Sequence, residues 1–224
     1  MKTRPFLPAL PFGLLTLILS LMMPDIPAAP GVRNPIVELE FARNADGVKQ
    51  VLGVAGQEVA EPLSGPMVDA FFTNIRADRF FLLAYSSFLA VTCLLAWRQR
   101  RRPRFIFAAV LAVVAAVLDH LENGQLLAIL ETPEREWSVH LAALAAFTWG
   151  KWSSITLVFL ILGWFWMNSD RLGRIIMVVS WFAAIAALLG AIFPGVALIF
   201  SLIIALLFLM LFVWEILYRL PQPV

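Results

Sequence analysis

Long, nearly uninterrupted apolar runs separated by short polar breaks occupy most of the chain. They fall at residues 6–23, 80–97, 105–130, about 139–167, 175–193 and 196–217. Roughly 20 apolar residues are needed for a helix to cross the hydrocarbon core, so each run predicts a membrane-crossing helix. The runs are continuous rather than alternating, which excludes a β-barrel. The expected class is all-α, a polytopic transmembrane helical bundle of about six spans. Residues 1–23 read as a signal anchor and first span, and 24–77 as a small extracytoplasmic segment. Residues 78–219 read as five further spans, and 220–224 as a cytoplasmic tail.

The breaks refine this picture. Lys2 and Arg4, an apolar stretch, then Pro24, Pro27 and Pro30 give the outline of a signal peptide. The small-x-small pattern at Ala29-Pro30-Gly31 is weak, so the stretch reads as an uncleaved anchor; cleavage would remove one span. Within 24–77, Val37, Leu39 and Phe41 alternate with Glu38 and Glu40, the period of a half-buried strand or a strip on the membrane surface. Residues 44–60 read as a weak amphipathic helix interrupted by Gly47, Gly53 and Gly56. A segment of this size cannot build its own core and is expected to pack on the ends of the spans. Ser64-Gly65-Pro66 is a helix start, from which one helix can run into the second span.

Composition fits the pattern: 61% of the 224 residues are hydrophobic and 14% charged, against about 45–50% and ~25% in soluble domains. The net charge of +2 decides nothing, but its distribution does. Lys2, Arg4, the five arginines within 98–104, Arg171, Arg174 and Arg219 all fall on one side of a six-span arrangement. By the positive-inside rule that side is cytoplasmic, as are both termini, in a bacterial inner membrane. The arginine run is an orientation signal in a tight turn and not a nucleic-acid footprint. Cys93, the single cysteine, reads as a small buried hydrophobe.

Candidate chemistry lies where polar residues interrupt the third span. Asp119, Glu122 and Asn123 share one helix face at i, i+3 and i+4; His120 and Gln125 sit at its edges. Ala112, Ala115 and Ala116 continue that face and admit a close neighbour. On the fourth span His140 and Lys151 point the same way, flanked by Thr148 and Ser154. Asp119 lies 15 residues before Glu134 and Lys151 lies 17 after it, so the two share a depth and are the expected intramembrane pair. On the second span Asn74, Asp78, Tyr85 and Thr92 form a stripe. A pocket between these three spans is expected, with Asp78 and His140 at its rim and Tyr85, Asp119, Glu122, Asn123 and Lys151 at its floor. Two acids against one lysine leave negative charge over, at ~2.5–3.5 kcal/mol per unpaired charge near a helix centre. Glu122 then holds a proton, reaches His140, or faces a cationic guest.

The bland reading of Asp119–Lys151 is a clamp between helices; the functional one is a site for a small polar or cationic species. Asp119, His120, Glu122 and His140 are metal-ligand types without a ligand spacing such as His-Glu-x-x-His, so no metal is assigned. Nucleophile-elbow, phosphate-loop and dinucleotide motifs are lacking, and no cofactor is expected. The expected role is binding or transport of that species, or a structural or sensory one; an enzyme acting on a lipid or isoprenoid head group at the outer leaflet is the alternative. Trp97, Trp137, Trp164 and Trp166 fit interface anchors, while Trp149 and Trp152 flank Lys151. Glu215 stands one turn from Arg219, a local pair.

The chain also resembles a family of uncharacterised bacterial multi-pass membrane proteins. The resemblance is carried by Glu38-Leu39-Glu40-Phe41-Ala42 ahead of Val51-Leu52, by Asp78 with Phe81 and Ala84-Tyr85, by Asp119 with Glu122-Asn123, and by Lys151-Trp152. It covers roughly residues 36–165 and leaves out the last two spans. The family has no known activity, so the resemblance implies a grouping and no function.

Overall fold

The computed structural model describes residues 6–167 and 170–218. Among them there is no strand. The helices are α1 (Leu10–Leu21), α2 (Pro35–Glu40), α3 (Ala45–Val51), α4 (Pro66–Arg100), α5 (Arg104–Glu131), α6 (Trp137–Trp166), α7 (Arg171–Ile192) and α8 (Ala197–Leu217). The last five are long and apolar enough to cross a membrane, α6 with its leading 3-10 turn. The protein is a multi-pass membrane protein built as an all-α bundle. Neighbours in sequence pack together from α4 through α8, and α1 closes the ring between α8 and α4.

Among the described residues five helices are long and apolar enough to span, where six were expected. The first apolar stretch is helical over Leu7–Leu21, about 22 Å at 1.5 Å per residue and short of the ~30 Å core. Prolines set its limits: Pro8 and Pro11 occupy first-turn positions, and Pro24 lies beyond its end. It is nonetheless integral to the bundle. A Cβ on Gly13 would stand 2.7 Å from Phe212 and 2.8 Å from Phe88, so only glycine permits this approach. Phe6 is buried at its start, edge-on to Phe165 and Trp214.

The 24–65 region departs most from expectation. The strip around Val37 is not extended; it is the short helix α2. Asn34 caps it by accepting from the Val37 amide, Pro35 takes a first-turn position, and Glu38 accepts from the Arg33 and Asn34 amides. These caps outweigh an alternation only three apolar residues long. The helix expected over 44–60 is confined to α3, capped by Asn44 and closed before Gly53 at φ 71°. Both helices bury Leu39, Val48 and Val51 against Phe71, Ile75, Leu126, Ile129 and Trp137, at the ends of α4, α5 and α6. The cap borrows its core from the bundle. Leu63 N–H donates to the Leu130 carbonyl at 3.2 Å and Glu134 N–H to the Val59 carbonyl at 2.9 Å, pinning its returning strand of chain.

α4 runs unbroken for 35 residues from Pro66, the one helix expected to continue from Ser64-Gly65-Pro66 into the second span. Its exposed large apolar side chains begin at Phe80, and those of α5 run from Ile106 to Leu121. Trp137 and Trp166 are fully buried rather than interface anchors, because each points into the packing between helices; Trp164 is exposed. Arg219 lies outside the described residues, as do Lys2 and Arg4, and with it the expected Glu215–Arg219 pair.

Candidate ligand-binding site

The buried arc of α5 runs through Ala112, Ala115 and Ala116 to Asp119, Glu122 and Asn123. The alanines let α4 and α6 close on either side and bring polar side chains from three helices to one level. Lys151, 5% exposed, is the hub. Its Nζ lies 3.2 Å from Asp119 Oδ1, the expected pair, and also contacts Glu122 Oε2. A third carboxylate, Glu40 Oε2, stands at 3.3 Å. Tyr85 Oη donates to Asp119 Oδ2 at 2.7 Å, and Asn123 Nδ2 donates to Asp78 Oδ2 at 2.7 Å. Thr148 Oγ1 contacts Glu122 Oε1 and lies 3.2 Å from the Glu40 carbonyl.

Glu40 is the residue that sequence reasoning left out of the site. It closes α2, and the cap lowers that helix end onto α6. Trp152 Nε1 donates to the Glu40 carboxylate at 3.4 Å, and the Lys151 ammonium lies 5.1 Å from the Trp152 ring centre. The lysine sits at the C-terminal end of α2, where a cation is favoured. Burial pushes the Glu40 carboxyl above the usual glutamate range, while the Lys151 charge pulls it down by less. The usable signal was Asn34-Pro35, a helix start that makes Glu40 the end of a helix instead of the polar side of a strand.

Two expected members are elsewhere. His120 is exposed: a further 60° or so of helical rotation beyond Asn123 carries it out of the buried arc, toward the face of Val117 and Leu121. His140 pairs with Gln125, its Nδ1 3.0 Å from Oε1, and reaches neither Glu122 nor the pocket rim. Glu122 is placed behind Lys151, wholly buried, so it holds the floor from below without lining the space above it. Thr92, two turns beyond Tyr85 on α4, leaves the cluster and meets Glu215 Oε1 at 2.5 Å on α8. Cys93 is buried.

Above Lys151 is a cavity of about 360 Å³. Glu40, Asp78, Asp119, Asn74 and Asn123 form its polar wall, and Phe81, Tyr85, Trp152 and Phe208 its aromatic one. It lies beside the middle of α5 and α6 and is roofed by the cap. Trp152 walls it as expected, whereas Trp149 packs edge-on against Phe41. Among the described residues no group of His, Cys, Asp and Glu is placed to hold a metal ion.

Compared with protein-family models, with curated proteins and with solved structures, the chain matches none. The resemblance noted above therefore rests on its four short motifs.

Proposed function

We propose that the cavity above Lys151 binds a small polar or cationic species, with an organic amine as the best fit. The observation that carries this is the charge count. Glu40, Asp119 and Glu122 meet a single ammonium, Asp78 stands beside them on Asn123, and three of these four acids face the cavity. A cationic guest would offset the surplus, and the aromatic wall offers ring faces to it. Positive-inside counting sets the arginine turn in the cytoplasm of a bacterial cell, so the cap and cavity face outward across the inner membrane. The chain then binds its guest from the extracytoplasmic side, as a sensor or as one stage of transport.

Trp152 makes the reading testable. Titrating choline chloride into the protein in nanodiscs should change tryptophan fluorescence saturably, with sodium chloride as the ionic-strength control. Asp78→Asn, which removes a cavity acid that does not touch Lys151 directly, should weaken binding by about tenfold, ~1.4 kcal/mol. A response that is linear, or identical in Asp78→Asn, sinks the proposal.

A further inference from the structure

The turn between α4 and α5 holds five arginines within 98–104. Orientation in a membrane depends on their number, not on their arrangement. Their arrangement is nevertheless specific. α4 stops at Arg100, and Arg101 takes the left-handed conformation at φ 52°, its amide donating to the Trp97 carbonyl at 2.7 Å. α5 begins at Arg104. This folds Arg100, Arg102 and Arg104 around a cavity of about 350 Å³, completed by Gln99, Trp164 and Met167.

Three features of that cavity ask for an anion. The Arg100 guanidinium lies 5.2 Å from the Phe165 ring centre and that of Arg104 lies 5.1 Å from Trp164. Held by their faces, the guanidinium planes keep their N–H edges available for a two-pronged contact. No carboxylate among the described residues is within ion-pair distance of Arg100, Arg102 or Arg104. The Gln99 amide nitrogen is buried and has no acceptor among the described residues. A neutral donor adds nothing to orientation, and a buried one without a partner is costly.

The surroundings select the kind of anion. Trp164 and Met167 are 55% and 47% exposed, and Ile106 and Val110 begin the apolar outer face of α5 beside them. A headgroup held here would have its acyl chains against that face. We propose that this cavity binds the phosphate of an anionic phospholipid, with Arg100 and Arg104 forking its oxygens and Gln99 donating a neutral hydrogen bond. Basic pockets at helix ends on the membrane surface are suited to such headgroups.

The test uses the full chain in mild detergent, with lipid retention read by native mass spectrometry. Phosphatidylglycerol should be retained in preference to phosphatidylcholine. Two variants separate site from orientation. Arg100→Lys with Arg104→Lys keeps every positive charge but removes the forks, and should cut phosphatidylglycerol retention about tenfold. Gln99→Leu changes no charge and should cut it roughly threefold to tenfold. Equal retention of both lipids, or full retention in the double lysine variant, overturns the proposal. Inorganic phosphate distinguishes the source: if it binds at millimolar concentration while phosphatidylglycerol does not, the site is for free phosphate and the lipid assignment is wrong.

Discussion

The two halves of the bundle solve the problem of buried polarity in opposite ways. At the cap end, α2, α4, α5 and α6 crowd Glu40, Asp78, Tyr85, Asp119, Glu122 and Lys151 into one network. At the arginine end, Phe6, Phe165, Trp214 and Tyr218 interlock ring on ring. The side-chain hydrogen bonds there are isolated ones: Trp214 Nε1 donates to Asp170 Oδ1 at 3.2 Å, and Thr92 meets Glu215, whose Oε2 has no hydrogen-bond partner among the described residues. Asp78, Tyr85 and Thr92 are seven residues apart on one face of α4, so the helix alone does not distinguish them. The reach of the cap does: α2 ends on the Lys151 network and supplies Glu40, whereas Thr92 finds its partner on another long helix.

Removing the hub should break this contrast most severely. Lys151→Met leaves Glu40, Asp119 and Glu122 facing one another without a cation, and loss of one partner from a buried pair costs about 3–5 kcal/mol. The melting temperature in detergent should fall accordingly. Exchanging the charges, Lys151→Asp with Asp119→Lys, would rescue a simple two-residue clamp. Here it should not, because the new aspartate would stand among Glu40 and Glu122. A double variant that regains wild-type stability would reduce the network to the pair.

The next effect tests the other half. Thr92→Val removes the hydrogen-bond partner of Glu215, which is 1% exposed. Leaving a buried polar group unsatisfied costs roughly 1–3 kcal/mol. The loss should appear in thermal unfolding and leave choline binding unchanged, since Thr92 does not line the cavity. A change in binding would mean that the two halves are coupled.

What was legible in the sequence divides along the same line. The long helices follow from apolar runs, and α4 to α8 lie close to where those runs place them. Helical angle and loop distance brought Asp119 to Lys151, Tyr85 into line with them, and Asn123 to the same face. His120 failed because a face assigned from angle alone has no edge until its neighbours are known. Glu40 was missed for a different reason: six residues of helix are too short to show a period, and only the Asn34 cap distinguishes them from a strand. α1 looked like a span because its hydropathy is high, while its flanking prolines limit its length. Hydropathy reports burial from water and carries little about where a short polar segment folds back.

Glu40 should also give the network a pH dependence. Its carboxyl is held above the usual glutamate range, chiefly by burial. A raised acid contributes stability that is fully present below its unfolded value and is lost as pH rises through the folded one. Wild-type stability attributable to this group should therefore decline with rising pH, by no more than ~1.4 kcal/mol per pH unit. Glu40→Gln should flatten that slope in melting curves taken across the acidic to neutral range. An unchanged slope would remove Glu40 from the titrating part of the network.

The smallest effect belongs to the rim of the cap, and its sign is opposite. Lys49 Nζ and Glu134 Oε1 are 2.8 Å apart, and Glu134 also accepts from the Val59 amide at 3.3 Å. The Lys49 bond draws Glu134 below the usual glutamate range, and the same bond raises Lys49. A depressed acid contributes above its unfolded value and loses that contribution as pH falls through the folded one; the lysine's part is lost only as pH rises through its own raised value. The pair should thus hold the cap through the neutral range and release it in acid. Limited proteolysis of the chain between α3 and α4 should speed up as pH is lowered, with a protease active across that window. Glu134→Gln should be cut faster at neutral pH and show little further change in acid. Because this pair is only part-buried, salt should partly mimic acid in the wild type, an effect that fully buried Lys151 should resist. If salt and acid leave the cutting rate alone, the cap is held by its apolar contacts with α4, α5 and α6, and polar stitching matters only at the Lys151 network.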